Sequence, residues 1–399
     1  MVVSIGFEDA YANMNLPEQT HSIDSTWIKH QAHQSGFSLV GITTPQTPPH
    51  LDVYHHWLRT GRHAGMDYLA RKDAVSKRED PRLLLPECQS IIVTGTSYAM
   101  NDTGVNQKSS DFQIAMYALG DDYHKILVER LHALVTEIEK EVGAPIPYRI
   151  YTDTGPLLER ELAQRCGLGW IGKNTCLINP DQGSYFLLAE LLLALPLKPD
   201  PPFLHDRCGS CTRCIDACPT DCILPDRTID AARCISYLTI ENKGSIPHEL
   251  RNSIGDWIFG CDVCQQVCPW NQRFVKTTSD PAFEPRPFLR QARLSDFLRL
   301  SQNNWRHALR DSPLERPRRK GLVRNAAIVA GNLADEVRID DLVNALKDDP
   351  EPVARAHVAW ALGEIEHPRS KDGLESQLML ESNTDVRAEI VLALQNHKN

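Results

Sequence analysis

The sequence predicts an α+β protein of several domains, and three observations support this. Its 399 residues exceed what one hydrophobic core usually fills. Helical and strand-like patterns alternate over the first half of the chain, whereas the last quarter shows only helical ones. Between these parts, most of the 12 cysteines are concentrated in one segment. We therefore expect four regions: a flexible tail at 1–24, an α/β domain at 25–200, a cysteine-rich domain at 201–285 and a helical domain at 286–399.

Composition and charge exclude several classes of protein. With 42% hydrophobic and 24% charged residues, the chain is typical of a folded globular protein rather than a disordered one. The 52 acidic residues outnumber the 43 Lys and Arg residues, so the formal net charge is −9. This excludes a uniformly basic nucleic-acid-binding surface but not a local basic patch. The N-terminus lacks the basic and apolar regions of a secretory signal, so we expect a cytoplasmic protein without membrane association.

Apolar periodicity predicts the elements of the α/β domain. Apolar residues at three- and four-residue spacing predict helices over 27–36, 123–142 and 157–166. Short apolar, β-branched runs predict strands over 37–42, 90–96 and 148–152. The longest apolar run, 185–197, is too short to cross a bilayer, and we interpret it as a buried helix. Proline-rich segments at 196–202 and 281–287 mark the domain boundaries.

The helical domain contains a weak internal repeat. The pattern that begins at Arg324 recurs at Arg355 and Arg387, with steps of 31 and 32 residues. Each unit is an apolar helix that follows a turn rich in Asp, Pro or Asn. Helical units at this period predict a short HEAT-like solenoid, with a generic helical bundle as the alternative.

The cysteines form two runs, each followed by a proline. The first run has the spacing C-x2-C-x2-C-x3-C and consists of Cys208, Cys211, Cys214 and Cys218. This is the bacterial ferredoxin run, in which three cysteines bind one [4Fe–4S] cluster and the fourth reaches a second cluster. The second run is incomplete and consists of Cys261, Cys264 and Cys268.

This crossing of ligands assigns eight cysteines to two clusters. The first cluster would be bound by Cys208, Cys211, Cys214 and Cys268. The second would be bound by Cys218, Cys261, Cys264 and a fourth cysteine, for which Cys234 is favoured over Cys222. Two structural zinc sites are the alternative, but the triple x2 spacing and the two Cys-Pro pairs argue against zinc. We interpret the remaining cysteines as small buried hydrophobic residues: Cys88, Cys166, Cys176 and Cys222.

Asp153 stands where a predicted strand ends and a turn begins, which is a usual position for a functional side chain. Its alternative role is to cap the helix that follows Pro156. Nearby, Gly167, Gly169 and Gly172 have no side chains, so a large group can approach the backbone closely there. The alternative is that these glycines simply form turns.

Several motifs in the same order make the chain resemble the epoxyqueuosine reductases, cobalamin-dependent iron–sulfur enzymes that complete queuosine in tRNA. Besides the first cysteine run, the motifs are GMDYLAR (65–71), DYHK (122–125), DTGPLLER (153–160), GLGWIGKNT (167–175), CISYLTIENKG (234–244), CDVCQQVCPWN (261–271) and RRKGLVRNAA (318–327). The resemblance covers about residues 25–399. It implies a nitroreductase-like α/β domain that binds cobalamin, a ferredoxin-like domain with two [4Fe–4S] clusters and a HEAT-like extension.

The implied reaction removes the epoxide oxygen of epoxyqueuosine at the wobble position of tRNA with a GUN-type anticodon. It leaves the cyclopentene of queuosine and consumes two electrons and protons. The clusters would pass single electrons to cobalamin, which the family holds base-off without a protein ligand to cobalt. Asp153 matches the proton donor, and an apolar site could raise its pKa for that role. A reductase, flavodoxin or ferredoxin would supply the electrons, and we expect a monomer.

The resemblance also implies residues that contact the cofactor and the RNA. The positions that match the cobalamin-lining residues of the family are Lys173, Asn174, Ser184 and Asp262. Those that resemble anticodon-loop contacts are Tyr237, Asn242 and Lys243. His124 and Lys125 are either a structural pair or part of the wall of the site.

Residues 313–325 form a basic stripe, which contains five cationic residues and a single acidic residue, Glu315. These cations are Arg316, Arg318, Arg319, Lys320 and Arg324. In isolation such a cluster would be a solvated helix start, but with an RNA substrate implied we expect it to bind the phosphate backbone.

Two other functions are weighed against this one. A cobalamin-dependent reductive dehalogenase would use related chemistry on a small molecule, but such enzymes usually carry a twin-arginine leader, which this sequence lacks. A non-enzymatic iron–sulfur electron carrier would need neither the α/β domain nor Asp153.

Overall fold

The structure, a computed structural model, describes residues 23–100 and 111–397. The predicted flexible tail at 1–24 therefore lies almost entirely outside the described residues. No described helix has the length and apolar character that crossing a membrane requires.

The first region is built on a four-stranded antiparallel sheet with the strand order β1–β2–β7–β4. Up to residue 200, the described strands are β1 (Leu39–Thr43), β2 (Ser90–Ser97), β3 (Gln113–Ile114), β4 (Tyr148–Tyr151), β5 (Trp170–Ile171), β6 (Leu177–Ile178) and β7 (Phe186–Leu193). The helices are α1 (Ser25–Gln34), α2 (Leu51–Arg59), α3 (Asp67–Ala70), α4 (Lys72–Glu79), α5 (Tyr123–Val142) and α6 (Glu159–Arg165). The three helices and three strands predicted for this region are confirmed, and their ends agree within three residues. They are α1, α5, α6, β1, β2 and β4. One further prediction is an exception.

The exception is the apolar run 185–197, which contains strand β7 and not the predicted buried helix. β7 lies between β2 and β4 in the sheet, and apolar cores cover both of its faces. A strand that is buried on both faces has no alternation of polar and apolar residues, so periodicity cannot distinguish it from a buried helix. The prediction of a helix was wrong for this reason.

Helices α5 and α6 cover opposite faces of the sheet. α5 has the predicted bounds, because Asp122 accepts a hydrogen bond from the backbone N–H of His124 at its start and Gly143 ends it with a positive φ of 75°. Its buried leucines belong to the core on one face of the sheet, and Leu162 of α6 belongs to the core on the other. The loop 152–158 thus connects β4 to α6, and this loop carries Asp153.

The cysteine-rich region has short elements separated by loops. They are α7 (Arg213–Asp216), α8 (Ile235–Ile240), α9 (His248–Arg251), β8 (Trp257–Phe259), α10 (Val263–Gln266) and α11 (Pro269–Phe274). β8 pairs in parallel with β3 of the first region. Asn271 adds a second connection, because its side chain accepts a hydrogen bond from the Ser184 backbone N–H at 2.6 Å and donates one to the Ser184 hydroxyl at 2.9 Å.

The last region is helical, as predicted. Its described helices are α12 (Pro287–Gln291), α13 (Leu294–Leu298), α14 (Gln302–Leu309), α15 (Arg318–Leu333), α16 (Ile339–Asp348), α17 (Pro352–Glu364), α18 (Pro368–Leu380) and α19 (Thr384–Asn396). The three helices of the sequence repeat, α15, α17 and α19, pack side by side. Gly331 and Gly363 allow this close approach, since a Cβ atom at either position would lie 2.7 Å from Trp360 or Ala393 of the next helix.

One apolar core extends from the cysteine-rich region into the helical region. It includes Ile235 and Phe259 on one side and Leu322 and Ile390 on the other, all buried. This core extends across the predicted boundary at 285.

Candidate active site

The four cysteines predicted for the first cluster line one cavity of about 270 Å³. Cys208 and Cys211 come from the loop that leads into α7, Cys214 lies in α7 itself, and Cys268 directly precedes α11. The indole N–H of Trp170 donates a hydrogen bond to the sulfur of Cys208 at 3.4 Å. Cysteines from two distant segments thus enclose one space, as the ligands of a polynuclear cluster must.

A second group of cysteines lies beside Asp262. Burial and then the charge of Cys234 raise the pKa of Cys261 to about 12, with a further contribution from Cys218. A hydrogen bond with Cys176 and then burial raise the pKa of Cys264. The predicted ligands of the second cluster are thus neighbours in the structure.

Two cysteines that we interpreted as packing residues also belong to this neighbourhood. The sulfur of Cys222 lies 3.4 Å from that of Cys218, and Cys176 contacts Cys264. The close spacing of Cys222 to Cys218 could have indicated its place, whereas nothing in the sequence near Cys176 did. Among the residues described, no three His, Cys, Asp or Glu side chains could hold a single metal ion.

Asp153 lies in the loop after β4 with a left-handed φ of 56°. It does not cap helix α6, whose N-cap residue is Leu158. Its side chain, 66% exposed, accepts a hydrogen bond from the Tyr123 hydroxyl at 3.0 Å and lies 3.6 Å from Nε2 of His124. A non-glycine residue in this conformation costs free energy and is often found at functional sites.

His124 and Asp153 form a pair that carries one proton. Desolvation acts to lower the pKa of His124, but hydrogen bonds to Asp122 and Asp153 raise it to about 9. For Asp153, desolvation acts in the opposite direction, and the hydrogen bond and charge of His124 outweigh it and lower the pKa. At neutral pH the proton therefore resides on the imidazole, which differs from the expectation that the site raises the pKa of Asp153.

Two further carboxyl groups lie behind the Asp153 loop. Glu159 accepts a hydrogen bond from the backbone N–H of Asp153 at 2.6 Å. Burial and the charge of Asp153 raise the pKa of Glu159 to about 7. Glu190 of β7 is fully buried, and burial and the charge of Glu159 raise its pKa further still. Since neither group matches a sequence motif for catalysis, sequence reasoning missed both.

Groups from elements distant in the sequence also lie near Asp153, and we call the space bordered by Asp153, Tyr68, Glu241 and Arg316 the Asp153 cleft. Burial and then the charges of Glu241 and Asp153 raise the pKa of Tyr68, whereas Arg316 acts to lower it, so these groups lie within electrostatic reach of Tyr68. Arg316 forms two hydrogen bonds with the Glu241 carboxylate, at 2.8 and 3.2 Å. The helical region therefore contributes directly to the cleft.

The predicted cobalamin residues do not share one environment. The Lys173 ammonium donates to the carbonyl oxygens of Gly209 and Cys211, so it supports the loop of the first cluster. Ser184 donates to Gln265, and Asp262 accepts from the Met116 backbone N–H. The side-chain nitrogen of Asn174 is buried without an acceptor among the described residues.

The glycines of the GLGWIGKNT motif face the protein itself. A Cβ atom at Gly169 would lie 2.1 Å from the carbonyl oxygen of Ile178, and one at Gly172 would lie 2.6 Å from the Ile178 side chain. At Gly167 it would lie 2.8 Å from the Pro201 carbonyl oxygen. These glycines therefore allow turns and close backbone packing, and the expectation that a large group approaches them is not supported.

The basic stripe is divided between buried and exposed cations, which corrects the expectation of five surface cations. Arg319 is buried and forms two hydrogen bonds with Asp349, at 2.7 and 2.8 Å. Arg324 is buried and donates to the carbonyl oxygens of Leu238, Asn242 and Gly244. Arg316 and Arg318 are exposed and Lys320 is half-buried, whereas Arg319 and Arg324 connect structural segments.

The residues expected at the anticodon loop lie near this exposed part. The Tyr237 hydroxyl accepts a hydrogen bond from the Gly65 backbone N–H at 2.9 Å. Lys243 donates to the carbonyl oxygens of Ile240 and Arg316, and burial lowers its pKa to about 8. Asn242 closes the same loop through its hydrogen bonds to Ser245 and Gly244.

Comparison with family models matches three parts of the chain. Residues 78–154 match the family described as epoxyqueuosine reductase QueG, DUF1730. Residues 207–271 match the 4Fe-4S double cluster binding domain, and residues 315–395 match HEAT repeats. The prediction of HEAT-like repeats is confirmed by this match.

Curated proteins and solved structures with high similarity have one description. The epoxyqueuosine reductase of Pseudomonas aeruginosa is 39% identical over 88% of this chain and 96% of its own length. That of Escherichia coli is 36% identical over 88% of this chain and 92% of its own. A crystal structure of an epoxyqueuosine reductase with an epoxyqueuosine-modified tRNA-Tyr stem loop is 31% identical, with a TM-score of 0.86 over 94% of this chain and 98% of that one.

Proposed function

The chain belongs to the epoxyqueuosine reductase family, and we propose that its Asp153–His124 pair supplies the proton for the reaction. The enzyme reduces epoxyqueuosine in tRNA to queuosine and uses two [4Fe–4S] clusters and cobalamin. The epoxide oxygen leaves as water, so each turnover takes up two electrons and two protons. When bound, cobalamin supplies the low-valent cobalt that reduces the substrate.

The observation that carries the proposal is the arrangement of Asp153. Its carboxylate is exposed to the cleft, whereas His124 behind it is protonated at neutral pH. The proton held by the His124 imidazolium passes to the Asp153 carboxylate and from there to the epoxide oxygen, which leaves His124 neutral until it takes up a proton again. General acid catalysis of this kind contributes roughly 10²- to 10⁴-fold to a rate. Tyr123 holds the carboxylate in position through its hydroxyl.

We assign the cluster ligands as the sequence predicts. Cys208, Cys211, Cys214 and Cys268 bind the first cluster, and the cavity that they line supports this. Cys218, Cys234, Cys261 and Cys264 bind the second, supported by their mutual electrostatic interactions. The second group adjoins the Asp153 cleft, because the charge of Arg160 acts on both Cys176 and Asp153.

For cobalamin, the donor set present in the chain fits a group rich in amides. Asn174 offers a buried amide nitrogen without an acceptor among the described residues, and such a group is costly unless a ligand completes it. We assign Asn174 to cobalamin. Ser184 and Asp262 form hydrogen bonds that connect the first region with the cysteine-rich region. Lys173 instead donates a hydrogen bond to the loop of the first cluster.

For the RNA, we propose that Arg316, Arg318 and Lys320 contact the phosphates of the anticodon stem. Tyr237, Asn242 and Lys243 shape the loop beside the cleft. The wobble base would enter the cleft after leaving the anticodon stack, as bases do when enzymes act on them. A tRNA with a GUN-type anticodon is the proposed substrate, in the cytoplasm, and we propose that the enzyme acts as a monomer.

At the finer level of fold, we propose a nitroreductase-like domain at 25–200, a ferredoxin-like domain at 201–285 and HEAT-like repeats at 286–399. The antiparallel sheet of the first region supports the first assignment.

The experiment that tests the function is anaerobic turnover of an anticodon stem loop that contains epoxyqueuosine, with reconstituted clusters, added cobalamin and dithionite. Formation of queuosine supports the proposal, and cluster reduction without product contradicts it.

A further inference from the structure

We infer that the rim of the first-cluster cavity is the docking surface for a small acidic protein that delivers single electrons to this cluster. The inference rests on the proposed function, because it assumes that the cysteines lining the cavity hold a cluster. We define the rim by the exposed cations Arg207, Arg213 and Arg273 with the aromatic residues Trp270 and Phe274.

The charge of the rim is opposite to that of the whole chain. Four cations line the cavity, Lys173 being the fourth, and no carboxylate lines it. Among the described residues none of these four cations forms an ion pair. The two nearby acids in the sequence are engaged elsewhere, since Asp206 pairs with Arg227 and Asp216 accepts a hydrogen bond from the Thr212 hydroxyl.

The positive charge of the rim contrasts with the net charge of the whole chain, which is −9. A negatively charged partner is repelled by most of the surface and attracted by the rim. Such complementarity orients the encounter and raises the association rate, which then depends on salt. An acidic carrier would therefore reach the cluster cavity in preference to other faces.

The rim also has the side chains that stable contacts use. Phe274 is 40% exposed, and its ring lies 5.4 Å from that of Trp270. The Arg207 guanidinium lies over the rings of Phe203 and Trp270, at 5.4 and 5.8 Å. Arginine and tryptophan beside other aromatic residues are the types enriched in the energetically important centres of protein interfaces.

The position of the rim matches the direction of electron flow. The rim residues line the same cavity as the four cysteines that we assign to the first cluster, so a carrier docked on the rim would lie beside that cluster. On this inference, electrons enter at the first cluster. At each encounter the carrier loses one electron and the cluster gains it, and two encounters supply the two electrons for one epoxide.

RNA phosphates would be attracted to the same cations, but the geometry favours the carrier. The residues proposed for RNA contact surround the Asp153 cleft, where the Arg316 charge reaches Asp153 and Tyr68. The rim instead surrounds cysteine sulfurs. We therefore treat RNA binding at the rim as an outcome that the experiment must distinguish.

The test compares two double variants that change the net charge equally. Arg213→Glu/Arg273→Glu reverses the rim, and Lys140→Glu/Arg149→Glu reverses two exposed cations on α5 and β4 as the matched control. The probe is photoreduced flavodoxin, an acidic flavin protein, mixed with the oxidised holoenzyme in a stopped-flow instrument. Bleaching of the cluster absorbance gives the second-order rate constant at low and high salt.

We expect the rim variant to be reduced at least about 10-fold more slowly than the control at low salt, with a smaller difference at 1 M salt, where charges are screened within about 3 Å. Dithionite-driven turnover of epoxyqueuosine should be the same for both, which tests the proposed function separately. A milder variant, Arg213→Gln/Arg273→Gln, should give an intermediate rate.

Equal flavodoxin rates for the rim and control variants would overturn the inference. So would an unchanged flavodoxin rate together with weaker binding of the tRNA stem loop, because the rim would then be an RNA surface. If the rim variant loses dithionite-driven turnover or cluster absorbance, the glutamine variant replaces it in the same comparison, and an unchanged rate there counts against the inference.

Discussion

The carboxylate of Asp153 lies 3.6 Å from Nε2 of His124, and the other ring nitrogen of His124 is bonded to Asp122 at 2.7 Å. Two carboxylates thus hold one imidazole, which raises its pKa to about 9. The proton delivery that we propose for this pair therefore does not require a raised pKa at Asp153.

Asp153→Asn should abolish proton donation while it preserves the shape of the loop. We expect turnover to fall by roughly 10²- to 10⁴-fold, with cluster absorbance and cobalamin binding unchanged. Asp181→Asn, at an exposed acid in the β6–β7 turn, is the matched control because Asp153 is exposed as well. An Asp153→Asn variant with wild-type turnover would remove Asp153 from the mechanism.

His124 makes the rate depend on pH in a definite direction. Below a pH of about 9 the imidazole is protonated and can restore the proton to Asp153, so the rate should be maintained. As the pH rises through about 9, His124 loses its proton and the rate should fall. His124→Gln should be slower at neutral pH and should lack this decline, which a pH series with dithionite as reductant would measure. The same decline in the variant would assign it to another group.

The fourth ligand of the second cluster can be identified by iron analysis. Cys234→Ala should lose this cluster and about half of the bound iron, because a [4Fe–4S] cluster needs four cysteines. Cys222→Ala should retain both clusters. The opposite pattern would show that Cys222, whose sulfur lies 3.4 Å from that of Cys218, is the ligand.

RNA affinity should depend on the exposed part of the basic stripe. Arg318 is exposed at the start of α15, and Arg318→Gln should weaken binding of the stem loop and reduce the slope of log K against log salt by about 1. The control is Arg369→Gln, at an exposed arginine of α18 that pairs with Asp340. Equal salt slopes for the two variants would exclude a phosphate contact at Arg318.

Arg319 should matter for stability and not for RNA contact. It forms a buried ion pair with Asp349, in which both side chains are less than one tenth exposed. Arg319→Ala leaves this carboxylate buried and should cost about 3–5 kcal/mol of unfolding free energy. Arg369→Ala breaks an exposed pair with Asp340 and should cost about 0–1 kcal/mol. Denaturant unfolding of the two variants measures the difference, and equal costs would contradict the assignment.

The sequence predicts the parts of this molecule that have local signals. The spacing of the cysteines, the helix 123–142 and the repeat at Arg324 each depend on nearby residues, and the structure contains the helix and the repeated helices as expected. Strand β7 was predicted as a helix because tertiary burial on both faces removes the alternation that identifies strands.

The parts that could not be predicted depend on contacts between distant segments. Arg319 and Arg324 have the same sequence signal as Arg318, but only the fold shows that they are buried. Similarly, Glu190 reaches the Asp153 loop from another strand, and Cys176 contacts the second cysteine group across regions. The lowered pKa of Asp153 also results from the fold, because the partner that lowers it, His124, is 29 residues away in the sequence.

The most direct test of the account is single turnover of an epoxyqueuosine-containing anticodon stem loop by wild-type enzyme and by Asp153→Asn. Both proteins would hold two reduced clusters and cobalamin, and mass spectrometry would follow the nucleoside. The account predicts that the wild-type reaction removes one oxygen atom from the modified base, whereas the variant leaves the epoxide intact on the same timescale. Equal conversion by the two proteins, or no conversion by fully reduced wild-type enzyme, would contradict it.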